Sequence, residues 1–463
     1  MHVVFTTLAF NQTRYFVALC RELEKNGIST SLISFHEDSN QYIKQAGIRC
    51  FNVFELGKKH EVDATKVDDL FEAIMTEYQI DFPKILLSHE KTTFNITNEE
   101  ALKKRFIKYF RTIDEIIKLL MGEFGTDLIV FQELGGFASL LSTFYIARKL
   151  KLNHFFMEPS FFKGRMFFVK NSLMAVKPLE KGAVFKDEVR NYLLKTKANK
   201  EIVIPKKDAS HYRHPIFKIL SGYNLKRLFQ KLFSKYFLRR SEEFNHVGNF
   251  VYRHLRMLVN RLRFSRLYKA IPDTSFIYYP FHVPMDVALT VRAPLYLDQY
   301  SLIDYLARNI PEGYKLTIKE HPAMIGVVSY RRLIDLLKRN PNILFLHPDI
   351  NNHEVISKTQ LVVTVNSKTG AESLMQGKRV ICLGDSFYAN ANSVRYVENI
   401  KEVGPKIIEF LKEEPPSLES VQDFFQAVWD ESYSGELYDC SPENILASAA
   451  SVGACVNKES MSY

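Results

Sequence analysis

Residues 361–383 read LVVTVNSKTGAESLMQGKRVICL. The run LVVTV is apolar on both faces of a strand, which suits a strand covered on both sides, as in a parallel sheet. NSKTG follows as a turn and helix start. A helix runs through 371–376, Gly377 ends it, and 379–383 return as another apolar strand. Strand, turn, helix and strand make a βαβ unit, and a series of such units builds a parallel sheet wrapped by helices.

The same rhythm runs outward from this stretch. Upstream, strands are expected at 275–279, Lys315–Lys319 and 343–346, with helices at 302–309, Tyr330–Arg339 and 353–358. The beginning of the chain repeats it: strand 2–8, helix 12–26 stopped by Gly27, strand 29–35, a short helix from Tyr42. Strand 127–132, helix 136–150 and strand 154–157 follow. Two such series predict an α/β protein of GT-B architecture, with two Rossmann-like domains facing a cleft. The expected divisions are 1–200, a basic helical insertion at 201–272, a second Rossmann-like domain at 273–405, helices at 406–440, and a loosely held tail at 441–463, small and polar in composition.

A chain of 463 residues has room for two or three cores. With 46% hydrophobic and 25% charged residues it has the balance of a soluble globular protein. The aromatic content, 13%, fills a core in preference to lining sugar or lipid contacts. The apolar run 128–147 holds Gln132, Glu133 and a glycine pair, so it reads as strand, loop and helix, not as a membrane span. Cys20, Cys50, Cys382, Cys440 and Cys455 form no CxxC pair and no metal-ligand spacing, which argues for reduced thiols and against a zinc site. The first residues lack a secretory signal, so the chain is expected in the cytoplasm.

The net charge of +10 is uneven: residues 205–270 carry 16 Lys/Arg against 3 Asp/Glu, or +13, leaving about −3 elsewhere. Within this block, residues 216–240 place Phe217, Leu220, Leu225, Leu228, Phe229, Leu232, Phe233, Tyr236 and Phe237 near helical spacing, with Lys and Arg on the other face. This is the pattern of an interfacial helix on an anionic membrane. A helical hairpin packed on the protein with a solvated basic face is the plainer alternative. Nucleic acid is not expected as a partner, because no motif for it is present.

Two loops carry the chemistry. Lys319-Glu320-His321-Pro322 ends the strand KLTIK and leaves the His321 imidazole at a cleft edge, within reach of a phosphate. Alone, such a pair is a plain turn. Its partner is Asn366-Ser367-Lys368-Thr369-Gly370-Ala371-Glu372, where a strand gives way to a helix whose N–H groups favour an anion. Ser367 and Thr369 add hydroxyls, Gly370 admits a phosphate, and Glu372 suits ribose hydroxyls. An N-capped helix without a ligand is the structural reading of the same residues. The spacing is not that of a P-loop.

The run 278–388 resembles the capsular polysaccharide synthesis family, which includes the bacterial β-Kdo transferases of capsule assembly. The resemblance rests on YYPFHVPMD at 278–286, KEHP at 319–322 and VNSKTGAESLMQGKRVICLGDSFY at 365–388, in that order. A weaker match covers LIVFQELGG at 128–136 and FFMEPSFFKGR at 155–165. The resemblance implies a GT-B glycosyltransferase, a CMP-activated acidic sugar as donor and a lipid-linked or oligosaccharide acceptor at the inner membrane face. It puts His321 and Pro322 at the CMP phosphate, joined by Ser367 and Thr369, with Glu372 near the ribose and His282 and Asp286 facing the same cleft. The chain departs from the family at His282, where many relatives carry Gln, and at MFFVKNSL (166–173), where they have an acidic Asp-Pro-x-Gly stretch.

Glycosyl transfer needs a carboxylate on the acceptor side, as base or nucleophile. Glu133 and Glu158 stand at predicted strand ends and are the candidates, each with helix capping as its structural alternative. Lys163 and Arg165 are suited to an acidic sugar's carboxylate or to the surface. No DxD-like motif stands out, so no metal and no cofactor are expected beyond the nucleotide-sugar substrate. The rival readings are a wall-polymer glycerophosphotransferase and a non-catalytic assembly partner on the membrane.

Overall fold

The computed structural model describes residues 1–80, 83–207, 222–243 and 247–460. Its strands form two sheets. The first has the order β3-β2-β1-β4-β5-β6-β13, from β1 (His2–Thr7), β2 (Ser29–Ser34), β3 (Arg49–Asn52), β4 (Leu128–Glu133), β5 (Asn153–Pro159), β6 (Arg165–Lys170) and β13 (Tyr433–Ser434). β1 to β5 are parallel, β6 is antiparallel to β5, and β13 is antiparallel to β6. The second has the order β9-β8-β7-β10-β11-β12, all parallel, from β7 (Phe276–Pro280), β8 (Lys315–Lys319), β9 (Ile343–Phe345), β10 (Leu361–Thr364), β11 (Arg379–Cys382) and β12 (Val394–Tyr396).

Both sheets have the Rossmann order, in which the chain leaves a central strand in one direction and returns on its other side. The reversal falls between β1 and β4 in the first sheet and between β7 and β10 in the second. The expected two-domain α/β architecture is present, with strands where continuous apolar runs lie. Val3–Phe5, Ile129–Phe131 and Val362–Val363 are wholly buried because helices cover both faces.

The final elements tie back to the first half. Helix Leu418–Glu431 sets Phe424 and Phe425 against its core, with the Phe161 and Phe425 rings 5.0 Å apart. The segment expected as a loose tail is instead helix Pro442–Ser460, which lies on helix Phe10–Lys25 and buries Ala449, Val452, Cys455 and Val456. Its many small residues suggest disorder by composition. In the fold they let two helices approach closely.

The basic insertion contains two described helices, Gly222–Tyr236 and Val247–Phe264. Residues 208–221, including Phe217 and Leu220, lie outside the described residues. The link between the helices is rooted in the first domain: Glu243 N–H donates to Phe35 O (3.2 Å), Glu37 N–H donates to Ser241 O (3.2 Å), and Arg240 meets Asp38. The second helix is rooted in the other domain through buried Met257, Asn260 and Phe264. Asn260 donates to Gly326 O and Val328 O (3.0 and 2.9 Å). No helix among the described residues is long and apolar enough to cross a membrane.

Candidate active site

In an open α/β sheet, ligands gather beyond the carboxyl ends of the strands where the order reverses. In the second domain that place lies between His282, just past β7, and Asn366, just past β10. The structure joins them: His282 Nε2 accepts the Asn366 backbone N–H at 3.2 Å. The His282 backbone is pinned by Gln299, whose Oε1 accepts its N–H (2.8 Å) and whose amide donates to its C=O (3.0 Å). Burial, reinforced by nearby His321, pulls the His282 imidazole down to about 3, so the ring is neutral near pH 7. An accepting Nε2 puts the proton on Nδ1, which is buried without a hydrogen-bond partner among the described residues.

His321 caps the short turn Pro322–Met324. Its Nδ1 accepts the Ala323 N–H at 3.3 Å, which puts the ring proton on Nε2. Pro322 fills the first position of that turn, where no N–H is needed. Glu320, left without a role in the sequence reading, sits beneath the loop. It accepts from Tyr268 OH (3.0 Å) and Gly326 N–H (2.8 Å), and burial pushes its carboxyl up to about 7. Gly326 has φ +87°, and a Cβ there would come within 2.2 Å of Met257 O, so only glycine lets the insertion lie so close to the His-Pro loop. Lys319 ends β8 almost fully buried. Burial lowers its ammonium to about 8, against the attraction of Glu372, Asp349 and Glu320.

The other loop forms a polar network. Ser367 is the N-cap of helix Lys368–Met375, its Oγ accepting from Thr369 N–H at 3.2 Å. Asn366 donates through its side chain to Ala288 O (2.6 Å). Asn352 donates to both Thr369 Oγ1 (3.2 Å) and Glu372 (2.6 Å), and burial raises the Glu372 carboxyl. Glu372 is 4% exposed. The role expected of Gly370 needs a different reason. A Cβ there would lie 2.5 Å from the Tyr388 ring, so the glycine makes room for Tyr388, whose hydroxyl donates to Ser367 O (2.5 Å). Asp286 caps the short helix Val287–Thr290 through Ala288 N–H (3.0 Å) and is exposed.

The two acceptor-side candidates part company. Glu133 pairs in register with Met157, so Glu158, one residue on, leaves the sheet on the opposite face. Glu133 stands at the β1/β4 reversal and accepts from Lys207 (2.7 Å), Gln12 (3.1 Å) and Tyr438 OH. Glu158 reaches across to the second domain, where the Arg292 fork engages both its oxygens, one at 2.9 Å. Arg292 also donates to Leu173 O (2.8 Å) and lies 3.6 Å from Asp385, which pairs with Lys177. Sequence reading missed Arg292. Its signal is a charge inside the apolar run LTVRAP, which a buried site must pair. Further contacts hold the halves together. His89 meets Thr290 (2.7 Å), and Lys368 reaches Ser160 O (3.4 Å). Gly136 gives His89 its space, since a Cβ would fall 2.5 Å from that ring. Arg165 is directed to the last helices instead of the cleft: it donates to Ser432 Oγ (2.7 Å) and stacks 4.1 Å above Trp429. Lys163 offers its backbone N–H to Tyr192 OH (3.0 Å). No cluster of metal-binding side chains occurs among the described residues.

Two Rossmann sheets in one chain, each with its own reversal point, define the α/β class with GT-B-like architecture. Residues 188–392 match the family model described as capsule polysaccharide biosynthesis protein, which bears out the resemblance read from the sequence. Protein FixF of Sinorhizobium fredii is 38% identical over 117 residues, 25% of this chain and 27% of FixF. Among solved structures, a Thermosulfurimonas dismutans KpsC β-Kdo 2,7 transferase is 14% identical, covering 77% of this chain and 95% of its own, with a TM-score of 0.36. A UDP-GlcNAc 2-epimerase from Neisseria meningitidis is 12% identical over 99% of this chain and 100% of its own, with a TM-score of 0.27.

Proposed function

We propose that the protein is a metal-independent glycosyltransferase of surface polysaccharide synthesis, working in the cytoplasm. Its donor would be a CMP-activated acidic sugar and its acceptor a lipid-linked or oligosaccharide glycan. The observation that carries this reading is the meeting of His282 with the Asn366–Thr369 turn at the reversal point of the second sheet, with His321, past the neighbouring strand β8, close enough to act on the His282 imidazole. A nucleotide phosphate there would meet the His321 Nε2–H and the N–H groups of the helix start, which stabilise the charge that develops on the leaving nucleotide. His282, held neutral, contributes a hydrogen bond and no charge. On the acceptor side, Glu133 at the reversal point of the first sheet accepts the proton of the attacking hydroxyl. Glu158, with both oxygens engaged by Arg292, holds the two halves together.

The test is a thermal-shift series with CMP, CDP, UDP and GDP. At about a hundredfold excess over Kd, a ligand that binds only the folded state adds roughly 2.7 kcal/mol, a shift of several degrees. CMP is expected to give the largest shift. An equal or larger shift with UDP would remove the CMP assignment.

A further inference from the structure

Among the described residues, the basic insertion presents an exposed apolar surface. On helix Gly222–Tyr236, Leu225, Phe229, Leu232, Phe233 and Tyr236 recur at spacings of three and four, so they share one face. All five are exposed, with Phe229 at 69% and Tyr236 at 66%. The aromatic row continues past the helix end, where the Phe233 and Phe237 rings stack 5.2 Å apart. Helix Val247–Phe264 has two apolar faces. Met257, Asn260 and Phe264 face the second domain, while Tyr252, Leu255, Val259 and Leu262 lie on the opposite side and are exposed, Leu262 at 76%. A helix that needed only to pack on its own domain would carry polar residues on that outer side. Lys226, Lys235, Arg239, Arg256 and Arg263 stand among these residues, and residues 205–270 hold the +13 charge excess.

We infer that these two helices form one membrane-docking surface, whose occupant is the headgroup boundary of an anionic bilayer. Charge complementarity selects that occupant. Apolar side chains rimmed by Lys and Arg fit an interface where acyl chains lie beneath anionic headgroups. A protein groove of neutral or basic character would leave the charges unmatched. One helix is rooted in the first domain through Ser241–Glu243 and the other in the second through Asn260, so the surface spans both halves of the molecule. If the transfer reading holds, it brings a lipid-linked acceptor to the side of the cleft that bears the His-Pro loop.

Vesicle sedimentation of the full chain tests this without any sugar nucleotide, so its outcome is independent of the transfer reading. Wild-type protein should pellet with phosphatidylglycerol/phosphatidylcholine vesicles and stay in solution with phosphatidylcholine alone, and high salt should weaken the binding. Replacing Phe229, Phe233, Leu255 and Leu262 by Ser, all exposed and so compatible with folding, should lower partitioning by roughly tenfold or more, since each loses buried apolar area at the interface. Lys226→Gln, Lys235→Gln and Arg239→Gln together should lower it on anionic vesicles. Wild-type protein that ignores anionic vesicles would overturn the inference, as would a Ser variant that binds them equally well. So would a dimer in size-exclusion chromatography that the Ser variant dissolves, since the surface would then belong to a second copy of the chain.

Discussion

At the strand ends of the first domain, Glu133 and Glu158 each meet a cation, Lys207 for one and the Arg292 fork for the other. In the second domain, Glu320 and Glu372 lie deep beneath the two loops and are hydrogen-bonded by neutral donors: Tyr268 OH, the Gly326 N–H and the Asn352 amide. Burial raises both carboxyls, and His282, just past β7, is held neutral. The difference suits a division of labour. A carboxylate beside a phosphate site would repel the ligand, and a raised pKa weakens that charge while keeping its hydrogen bonds for shaping the loop. On the first-domain side the carboxylates are instead fixed by ion pairs, Glu133 with Lys207 and Glu158 with Arg292.

The largest expected effects break this comparison on the first-domain side. Glu133→Gln should lower turnover on the order of 10²-fold to 10⁴-fold, the range of a lost acid–base group, with a smaller loss of stability than Glu158→Gln because Lys207 is more exposed than Arg292. Glu158→Gln should behave differently. It leaves Arg292 largely buried with one partner fewer, so the loss is in stability, about 3–5 kcal/mol where no other anion takes over and less where Asp385 does. Urea denaturation and steady-state kinetics on both variants separate the two roles. A silent Glu133→Gln, with Glu158→Gln losing turnover at unchanged stability, would exchange the assignments. Two silent variants would refute an acceptor-side carboxylate altogether.

Next in size is His321→Ala. The side chain is only partly buried, so the fold should survive, while removal of one hydrogen-bond donor to developing charge costs about 10²- to 10³-fold in turnover. Near wild-type turnover at saturating donor would leave His321 as a turn residue and nothing more.

How much of this is legible in the sequence depends on range. The strands are legible because a buried parallel strand is a continuous apolar run, and Lys315–Lys319 and Tyr330–Arg339 fall where patterning puts them. The meeting of His282, His321 and the Asn366 turn is legible too, since each follows a strand of one parallel sheet and such sheets gather their carboxyl ends. What is not legible is pairing across the chain. Arg292 and Glu158 are 134 positions apart, and nothing local to either names the other. Gly370 shows the same limit: its sequence context suggests a phosphate, whereas the neighbour that requires it is the Tyr388 ring. The last helix fails for another reason, because its small residues resemble those of a loose tail when the helix they pack against is out of view.

The smallest expected effect sharpens the second-domain side of the comparison, through the pH dependence of stability. The Glu320 carboxyl sits at about 7 in the fold and at an ordinary 4.5 without it. Between those values the folded protein holds a proton that the unfolded chain has already released. Stability must therefore fall as pH rises from about 4.5 to about 7, at no more than roughly 1.4 kcal/mol per pH unit from this group. Below that window the carboxyl is protonated in both states and contributes no slope, and above it the cost is fully present. Glu320→Gln keeps an oxygen acceptor for the Gly326 N–H and cannot ionise. Its stability should thus be insensitive to this group, and the difference between variant and wild type should move in the variant's favour as pH is raised from 4.5 to 7. The background runs the other way: burial lowers His282 and His154 to about 3 and His89 to about 4, so those groups add stability as pH rises toward 6.5. Subtracting the two urea-denaturation series removes that shared background, because the histidines are present in both proteins. A difference that stays flat across the window would mean that Glu320 ionises in place at an ordinary pH. The second domain would then carry a true negative charge beneath its His-Pro loop.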